Sequence, residues 1–201
     1  MAGKSAQRPY KQVARAQAQE RTRDALLEAA ADEFYGDRWH KTSLDALSAK
    51  VGVSKQTLLR HFGSKDMLLL QALMRTGAQV LEQRWNAPAG DVDGTLENLI
   101  DHYEEWGERS LRIGAWQQKG PAVLAKLSQA ARQVHYAWVD YAFEPWLAGL
   151  EQQALERRRA ALIAICDVNT WWLLSKDLGL PRPEVHTTLA SMIKPLLAEG
   201  Q

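Results

Sequence analysis

Residues 42 to 68 read TSLDALSAKVGVSKQTLLRHFGSKDML, and this stretch predicts two short helices joined by a tight turn. Gly52 has the backbone freedom that ends the first helix and makes the turn. Thr42 and Ser43 are candidate N-caps for that helix, and Asp45 gives Thr42 a weak capping box. The apolar side chains of the first helix recur at helical spacing, at Leu44, Leu47 and Val51.

The second helix of this stretch is amphipathic and is expected to begin after Ser54 and to end at Gly63. Leu58 and Phe62 share its inward face. The remaining positions are polar or basic and are left outside, namely Lys55, Gln56, Thr57 and Arg60. This is the spacing of a helix-turn-helix, whose second helix enters the major groove of DNA.

A third helix is predicted to begin after Ser64, and its first turn contains Lys65. A cation is disfavoured at that end of a helix, because the helix dipole is positive there. The placement becomes favourable when an anion such as a DNA phosphate binds at the same helix end.

The stretch resembles the DNA-binding domain of the TetR family of transcriptional regulators over roughly residues 20 to 75. The matching positions are Thr42-Ser43, Gly52-Val53-Ser54, Thr57-Leu58, His61-Phe62 and Ser64-Lys65. At Leu59 the sequence departs from the family, which usually has a tyrosine that touches the DNA backbone. A leucine there can still contact a thymine methyl group. The resemblance implies a homodimer on a pseudo-palindromic double-stranded operator, and most commonly a repressor released by a small-molecule effector.

The candidate DNA contacts divide into base contacts and phosphate contacts. Lys55, Gln56 and Thr57 occupy the first turn, from which base edges are reached. The alternative for these three is a solvated helix face, and for His61 it is a packing or capping histidine. Further contacts, mostly to phosphates, are assigned to Thr42, Ser43, Ser54, Leu59, Arg60, His61 and Lys65.

Composition narrows the class of protein. The 201 residues are 46% apolar and include one cysteine, Cys166, which excludes an intramolecular disulfide and a cysteine-based zinc site. Residues 1–65 carry 12 Lys/Arg against 7 Asp/Glu, net +5, whereas residues 66–201 carry 13 against 17, net −4. The basic part therefore contains the helix-turn-helix, as phosphate binding requires. No run is apolar enough for a signal peptide or a membrane span, so a cytoplasmic protein is expected. No metal or cofactor is expected either.

The whole chain is expected to be all-α, because no segment alternates with the period of a strand. Its parts are a basic N-terminal arm over residues 1–18, the DNA-binding domain over 19–72 and a ligand-binding and dimerisation domain over 73–201. The arm either contacts DNA beside the site or is a solvated tail. The expected helices cover Gln19–Tyr35, Ser64–Trp85, a segment capped by Thr95, one beginning near Val123, Gln153–Leu178 and Glu184–Ala198.

Tryptophan is abundant in the second domain, which holds seven of the eight in the chain. These indoles either fill the core and the dimer interface or line a pocket for an apolar or aromatic ligand. No charge cluster selects a cationic or an anionic ligand. The candidate ligand contacts are Tyr103, Trp106, Trp116, His135, Trp138, Asn169 and Trp172.

Two other classes of function remain open. An enzyme has little support, because no motif joins a nucleophile to a base, and the acidic residues from Asp101 to Glu108 suit a solvated helix face. A ligand-binding dimer with a vestigial helix-turn-helix is favoured only by Leu59 and the modest basicity. DNA-binding measurements separate these alternatives.

Overall fold

The computed structural model describes residues 7–115 and 120–198, and all regular structure within these ranges is helical. The prediction of an all-α fold is therefore confirmed. The chain forms two compact units that divide at Thr76 and Gly77. Every helix in the described ranges is too short or too polar to cross a membrane. The first unit contains α1 (Gln7–Tyr35), α2 (Leu44–Val51), α3 (Lys55–Phe62) and the beginning of α4 (Lys65–Trp85).

Helix α1 begins twelve residues earlier than the sequence pattern predicted, at Gln7 instead of near Gln19. The polar run before Gln19 has no apolar face to mark it as helical, but its Gln and Ala residues are good helix formers. Pro9 is tolerated because it lies in the first turn, where its missing N–H has no partner to lose. Part of the segment expected as an arm, residues 7–18, therefore continues α1, and residues 1–6 lie outside the described residues.

The core of the first unit comes from the inward faces of its four helices. Leu47 of α2 and Leu58 of α3 are fully buried, and Phe62 is 5% exposed. Gly52 ends α2 at φ 75°, a left-handed backbone conformation that L-residues rarely adopt. The other buried apolar residues are Leu26, Leu27, Ala29, Ala30, Phe34, Trp39, Leu68, Leu69, Ala72 and Leu73.

The second unit consists of the end of α4 and the remaining helices. They are α5 (Val92–Ala115), α6 (Ala122–Ala142), α7 (Glu144–Leu147), α8 (Gln152–Ile165), α9 (Val168–Trp172), a π-helical turn (Leu173–Asp177) and α10 (Arg182–Ala198). One apolar core joins them, and its largest members include Trp138, Phe143, Tyr103 and Trp171. Tyr103 is tied across this core by its hydroxyl, which donates to the Cys166 carbonyl at 2.7 Å.

Three predicted helix boundaries in this unit were wrong. Helix α5 begins before Thr95, which is buried and donates its hydroxyl to the Pro88 carbonyl, while Asp91 accepts from the Gly94 N–H. The predicted helix from Gln153 to Leu178 is interrupted after Ile165, because the Asp167 carboxylate caps a new helix through the Asn169 N–H at 2.8 Å. The last helix begins at Arg182 instead of near Glu184.

Candidate functional site

The exposed face of α3 is held in place by its cap and by its two buried side chains. Ser54 accepts the Thr57 N–H at 3.1 Å, and its hydroxyl also lies 2.9 Å from the Thr57 hydroxyl. Leu58 and Phe62 anchor the opposite face in the core. Since the Thr57 hydroxyl is engaged at the cap, its methyl group is the part left for a base contact.

The side chains assigned to DNA bases and phosphates are accessible on this helix. Gln56 and Arg60 are exposed, Leu59 is 36% exposed, and His61 is half-buried. Lys55 is also exposed, and its ammonium group forms an ion pair with Asp45 of α2 at 3.0 Å. An exposed ion pair of this kind is weak, so a phosphate or a guanine acceptor can replace the Asp45 carboxylate at small cost.

The cap of α2 is Ser43, which accepts the Ala46 N–H at 3.1 Å. The capping box predicted for Thr42 does not form. The Thr42 hydroxyl instead lies 2.9 Å from the Arg38 carbonyl and 3.0 Å from a carboxylate oxygen of Glu33. Thr42 therefore ties the α1–α2 connection together, and its contact with DNA stays a prediction.

Glu33 is a residue of this unit that the sequence pattern did not single out. Arg38 donates to it at 3.0 Å and Lys50 at 3.2 Å, in addition to Thr42. The hydrogen bond from Arg38, followed by those from Thr42 and Lys50, lowers the pKa of Glu33 to about 2 against the effect of burial. Glu33 thus neutralises two cations of the basic unit, and fewer are left for phosphate than the sequence count suggests.

Lys65 has a partner that the sequence did not indicate. Its ammonium group donates to the Trp39 carbonyl at 2.7 Å and lies 4.6 Å from the centroid of the Trp39 ring. Burial lowers the pKa of Lys65. The hydrogen bond to the Trp39 carbonyl therefore explains why a lysine is tolerated at the N-terminus of α4. Two of the three ammonium hydrogens remain for other acceptors, so a phosphate contact stays a prediction.

In the second unit, the predicted ligand contacts fall into two groups. Tyr103, Trp106 and Trp138 are buried, and Trp172 is half-buried beside Trp171. Asn169 is exposed and donates to the Asp167 carboxylate at 2.6 Å, which places it in a helix cap and not on an apolar face. Trp116 lies outside the described residues.

His135 and Trp138 both contact Arg84 in the last turn of α4, a residue that no sequence pattern singled out. The Trp138 indole N–H donates to the Arg84 carbonyl at 2.9 Å, and the His135 ring is stacked with that of Trp138. Arg84 donates to His135 Nδ1 at 2.7 Å, while His135 Nε2 donates to the Ile163 carbonyl at 3.0 Å. Burial and the Arg84 charge lower the pKa of His135, so the neutral imidazole is favoured.

Cys166, the single cysteine of the chain, is not placed for nucleophilic chemistry. Cys166 is fully buried, and burial raises the pKa of its thiol to about 12, so it remains protonated and unreactive at neutral pH. No group of three or more His, Cys, Asp or Glu side chains within the described ranges is arranged to hold a metal ion.

Comparison with known proteins finds a family model that matches the region of the helix-turn-helix. The sequence model described as "Bacterial regulatory proteins, tetR family" matches residues 26–72. The HTH-type transcriptional regulator UidR of Escherichia coli K12 is 30% identical over 112 residues, which are 53% of this chain and 57% of that protein. The HTH-type transcriptional repressor SCO4008 of Streptomyces coelicolor is 26% identical over 120 residues, 59% of this chain and 60% of that protein.

The likeness to these two relatives thus spans less than two thirds of their length. A TetR-like transcriptional regulator from Rhodococcus sp. RHA1 has the same fold along most of the chain, with a TM-score of 0.62 and 21% identity. This likeness covers 89% of this chain and 96% of that one. The relatives are transcriptional regulators, and the solved structure extends the shared fold to the second unit.

Proposed function

We propose that the chain is a ligand-responsive, DNA-binding transcriptional regulator of the cytoplasm, because residues 26–72 match the family model of the TetR-type regulators. One observation carries the proposal. Helix α3 is capped at Ser54, is anchored by two buried side chains, and leaves Lys55, Gln56 and Arg60 accessible on its outer face. A rigid helix with donors and cations on one face is suited to the major groove.

The proposal includes a homodimer on a pseudo-palindromic operator. Two recognition helices that read successive major grooves need a two-fold axis and a spacing of about 34–36 Å. The C-terminal elements offer apolar surface for such an interface, with Leu178 61% exposed, Leu173 49% and Met192 36%. Large exposed side chains of this kind favour association with a second copy.

Regulation is proposed to follow from linkage, with repression relieved by a small apolar or aromatic effector. A ligand that favours a different spacing of the recognition helices must lower the affinity for DNA. Helix α4 is the proposed transmitter, because it continues through the division at Thr76 and Gly77.

Fluorescence anisotropy with the full chain tests the DNA-binding step. The probe is the duplex upstream of the protein's own gene, and a random duplex of equal length is the reference. We expect tighter binding to the upstream duplex at 0.15 M salt, with two chains per duplex at stoichiometric titration. Equal affinity for both duplexes at every salt concentration would contradict sequence-specific binding. It would instead support the alternative of a helical ligand-binding dimer with a vestigial helix-turn-helix.

Two substitutions separate base contacts from phosphate contacts. Gln56→Ala is expected to cost about 1–3 kcal/mol of discrimination between the two duplexes. Arg60→Ala is expected to weaken both alike and to reduce the slope of log affinity against log salt by about one. Arg60 is preferred to Lys65 for this purpose, since Lys65 also holds the Trp39 carbonyl. An equal loss on both duplexes for Gln56→Ala contradicts its role in base reading.

A further inference from the structure

Arg84 is buried in the second unit to an extent that is unusual for an arginine, with 4% of its surface exposed. Its guanidinium carbon lies 4.3 Å from the centroid of the Trp138 ring and 5.5 Å from that of Tyr103. One of its nitrogens donates to His135 Nδ1 at 2.7 Å. A buried charge in a folded protein is normally paired with an opposite charge, because desolvation is costly.

No acidic side chain in the described ranges forms an ion pair with Arg84. Its Nε is buried without a hydrogen-bond partner there. The two histidines that face the guanidinium do not supply negative charge. Burial, followed by the charge of Arg84, lowers the pKa of His102 to about 3 and also lowers that of His135.

Asp167 is the acid whose charge acts on this cluster, since it partly opposes the lowering of the His135 pKa and contributes to the raised pKa values of Tyr103 and Cys166. One of its carboxylate oxygens accepts from the Asn169 N–H and side-chain amide, which holds it at the start of α9. Asp167 therefore does not take the place of a bidentate partner on Arg84.

The aromatic neighbours explain how the guanidinium is positioned but not how its charge is balanced. The Trp138 ring is fixed because its N–H donates to the Arg84 carbonyl, and the Tyr103 hydroxyl is fixed on the Cys166 carbonyl. Stacking on two rings, a hydrogen bond to a neutral imidazole and an interaction with the Tyr103 hydroxyl leave the Nε–H of Arg84 without an acceptor. Such a group is preorganised for an acceptor with two oxygens.

We propose that Arg84 anchors the effector site and that the effector is a small organic monoanion, a carboxylate with an apolar or aromatic body. One cation beside neutral histidines matches a single negative charge. Trp106 supplies a second unused donor, because its indole N–H is buried without a partner in the described residues, one helical turn from Tyr103 on α5. The proposal deepens the proposed function, since it rests on a ligand-responsive second unit, and it gives that ligand a charge.

Thermal unfolding of the full chain tests the site, with acetate, benzoate and octanoate compared with acetamide, benzamide and octanamide at constant ionic strength. We expect at least one carboxylate to raise the Tm by several degrees at millimolar concentration, while its amide leaves the Tm unchanged. Arg84→Met is expected to abolish this response and to leave the ligand-free Tm equal or higher, since an uncompensated charge is removed. Arg112→Met, which removes an arginine paired with Glu108 on α5, is the matched control and should retain the response.

Asp167→Asn sharpens the test, because asparagine still caps α9 while the like charge near the bound carboxylate is gone. The carboxylate that responds best is expected to bind more tightly to this variant. Equal shifts by carboxylates and amides, or a response retained by Arg84→Met, would overturn the proposal. The proposal would also be overturned if no carboxylate changed the Tm of the wild-type protein and Arg84→Met lowered it. That result would make Arg84 a structural residue.

Binding of the upstream duplex is measured on the same preparations. Intact DNA binding without a carboxylate response refutes only the anion site. A protein that responds to the carboxylate but does not bind DNA instead refutes the proposed regulator.

Discussion

Lys55 of α3 and Arg84 of α4 are both cations, but the two units of the protein treat them in opposite ways. The Lys55 side chain is 49% exposed and paired with Asp45, whereas Arg84 is buried and has no acidic partner in the described ranges. An exposed pair exchanges its carboxylate for another anion at small cost, while a buried charge retains most of its desolvation penalty until an anion arrives. The first arrangement suits a long polyanion, and the second suits a single small one.

The largest expected effect concerns the packing beneath the exposed face of α3. Leu58→Ala should lower the free energy of unfolding of the first unit by about 2–5 kcal/mol, because Leu58 is fully buried. DNA binding should fall with it. Leu59→Ala is the matched control one residue away, and at 36% exposure its cost should stay within about 0.5 kcal/mol. Urea denaturation followed by circular dichroism gives both values, and equal losses would contradict the placement of the two leucines.

An acid titration distinguishes the two units. A histidine whose pKa is lowered on folding does not change the free energy of unfolding above its unfolded pKa of about 6.5. Below that pH it destabilises the fold progressively, until the pH reaches its pKa in the folded state. For His102, with a pKa of about 3, the loss should be about 1.4 kcal/mol for each pH unit below 6.5. His135 acts in the same direction, and both face Arg84.

In the first unit, Glu33 causes a loss of stability in a lower pH range. Its lowered pKa contributes stability that is fully present above 4.5 and is lost as the pH falls towards about 2. Amide protection factors, which correct for the intrinsic pH dependence of exchange, should therefore fall between pH 6.5 and 5 in α5 and α6 and not at the α1–α2 connection. His102→Gln should weaken the pH dependence of the second unit; an unchanged slope would show that His102 titrates normally.

The smallest effect concerns the Lys55 ion pair. Asp45→Asn releases the ammonium group and should tighten binding to specific and random DNA by about 2- to 5-fold, the value of an exposed ion pair. Glu105→Gln removes the same charge from the exposed face of α5 and is the control for net charge. Anisotropy titrations at 0.1 M salt measure both. A similar gain from Glu105→Gln would mean that overall charge and not the release of Lys55 is responsible.

Local patterns in the sequence were enough to predict the helix-turn-helix. The caps at Ser43 and Ser54, the turn at Gly52 and the apolar spacing of Leu47 and Leu58 all act within a few residues of one another. Capping and amphipathic burial depend on residues close together in the chain, so they can be predicted from the order of the residues alone. For the same reason the all-α class and the family resemblance were predictable.

Boundaries set by competing polar partners were not predictable. Thr42 had the right spacing for a capping box, but Glu33 and Arg38 offered its hydroxyl acceptors that only the folded α1–α2 connection brings near. The break before α9 has a similar cause, since Asp167 caps a helix in the middle of an apolar pattern that reads as continuous.

The amino-acid sequence alone determined the reading helix, the charge asymmetry and the tryptophan-rich second unit. Only the tertiary structure decided which cations are already neutralised and which buried arginine has no acidic partner among the described residues. Arg84 lies fifty-one residues before His135 and fifty-four before Trp138, so no periodic pattern connects them. The charge balance of a buried group depends on everything packed around it, and that neighbourhood exists only once the helices have assembled.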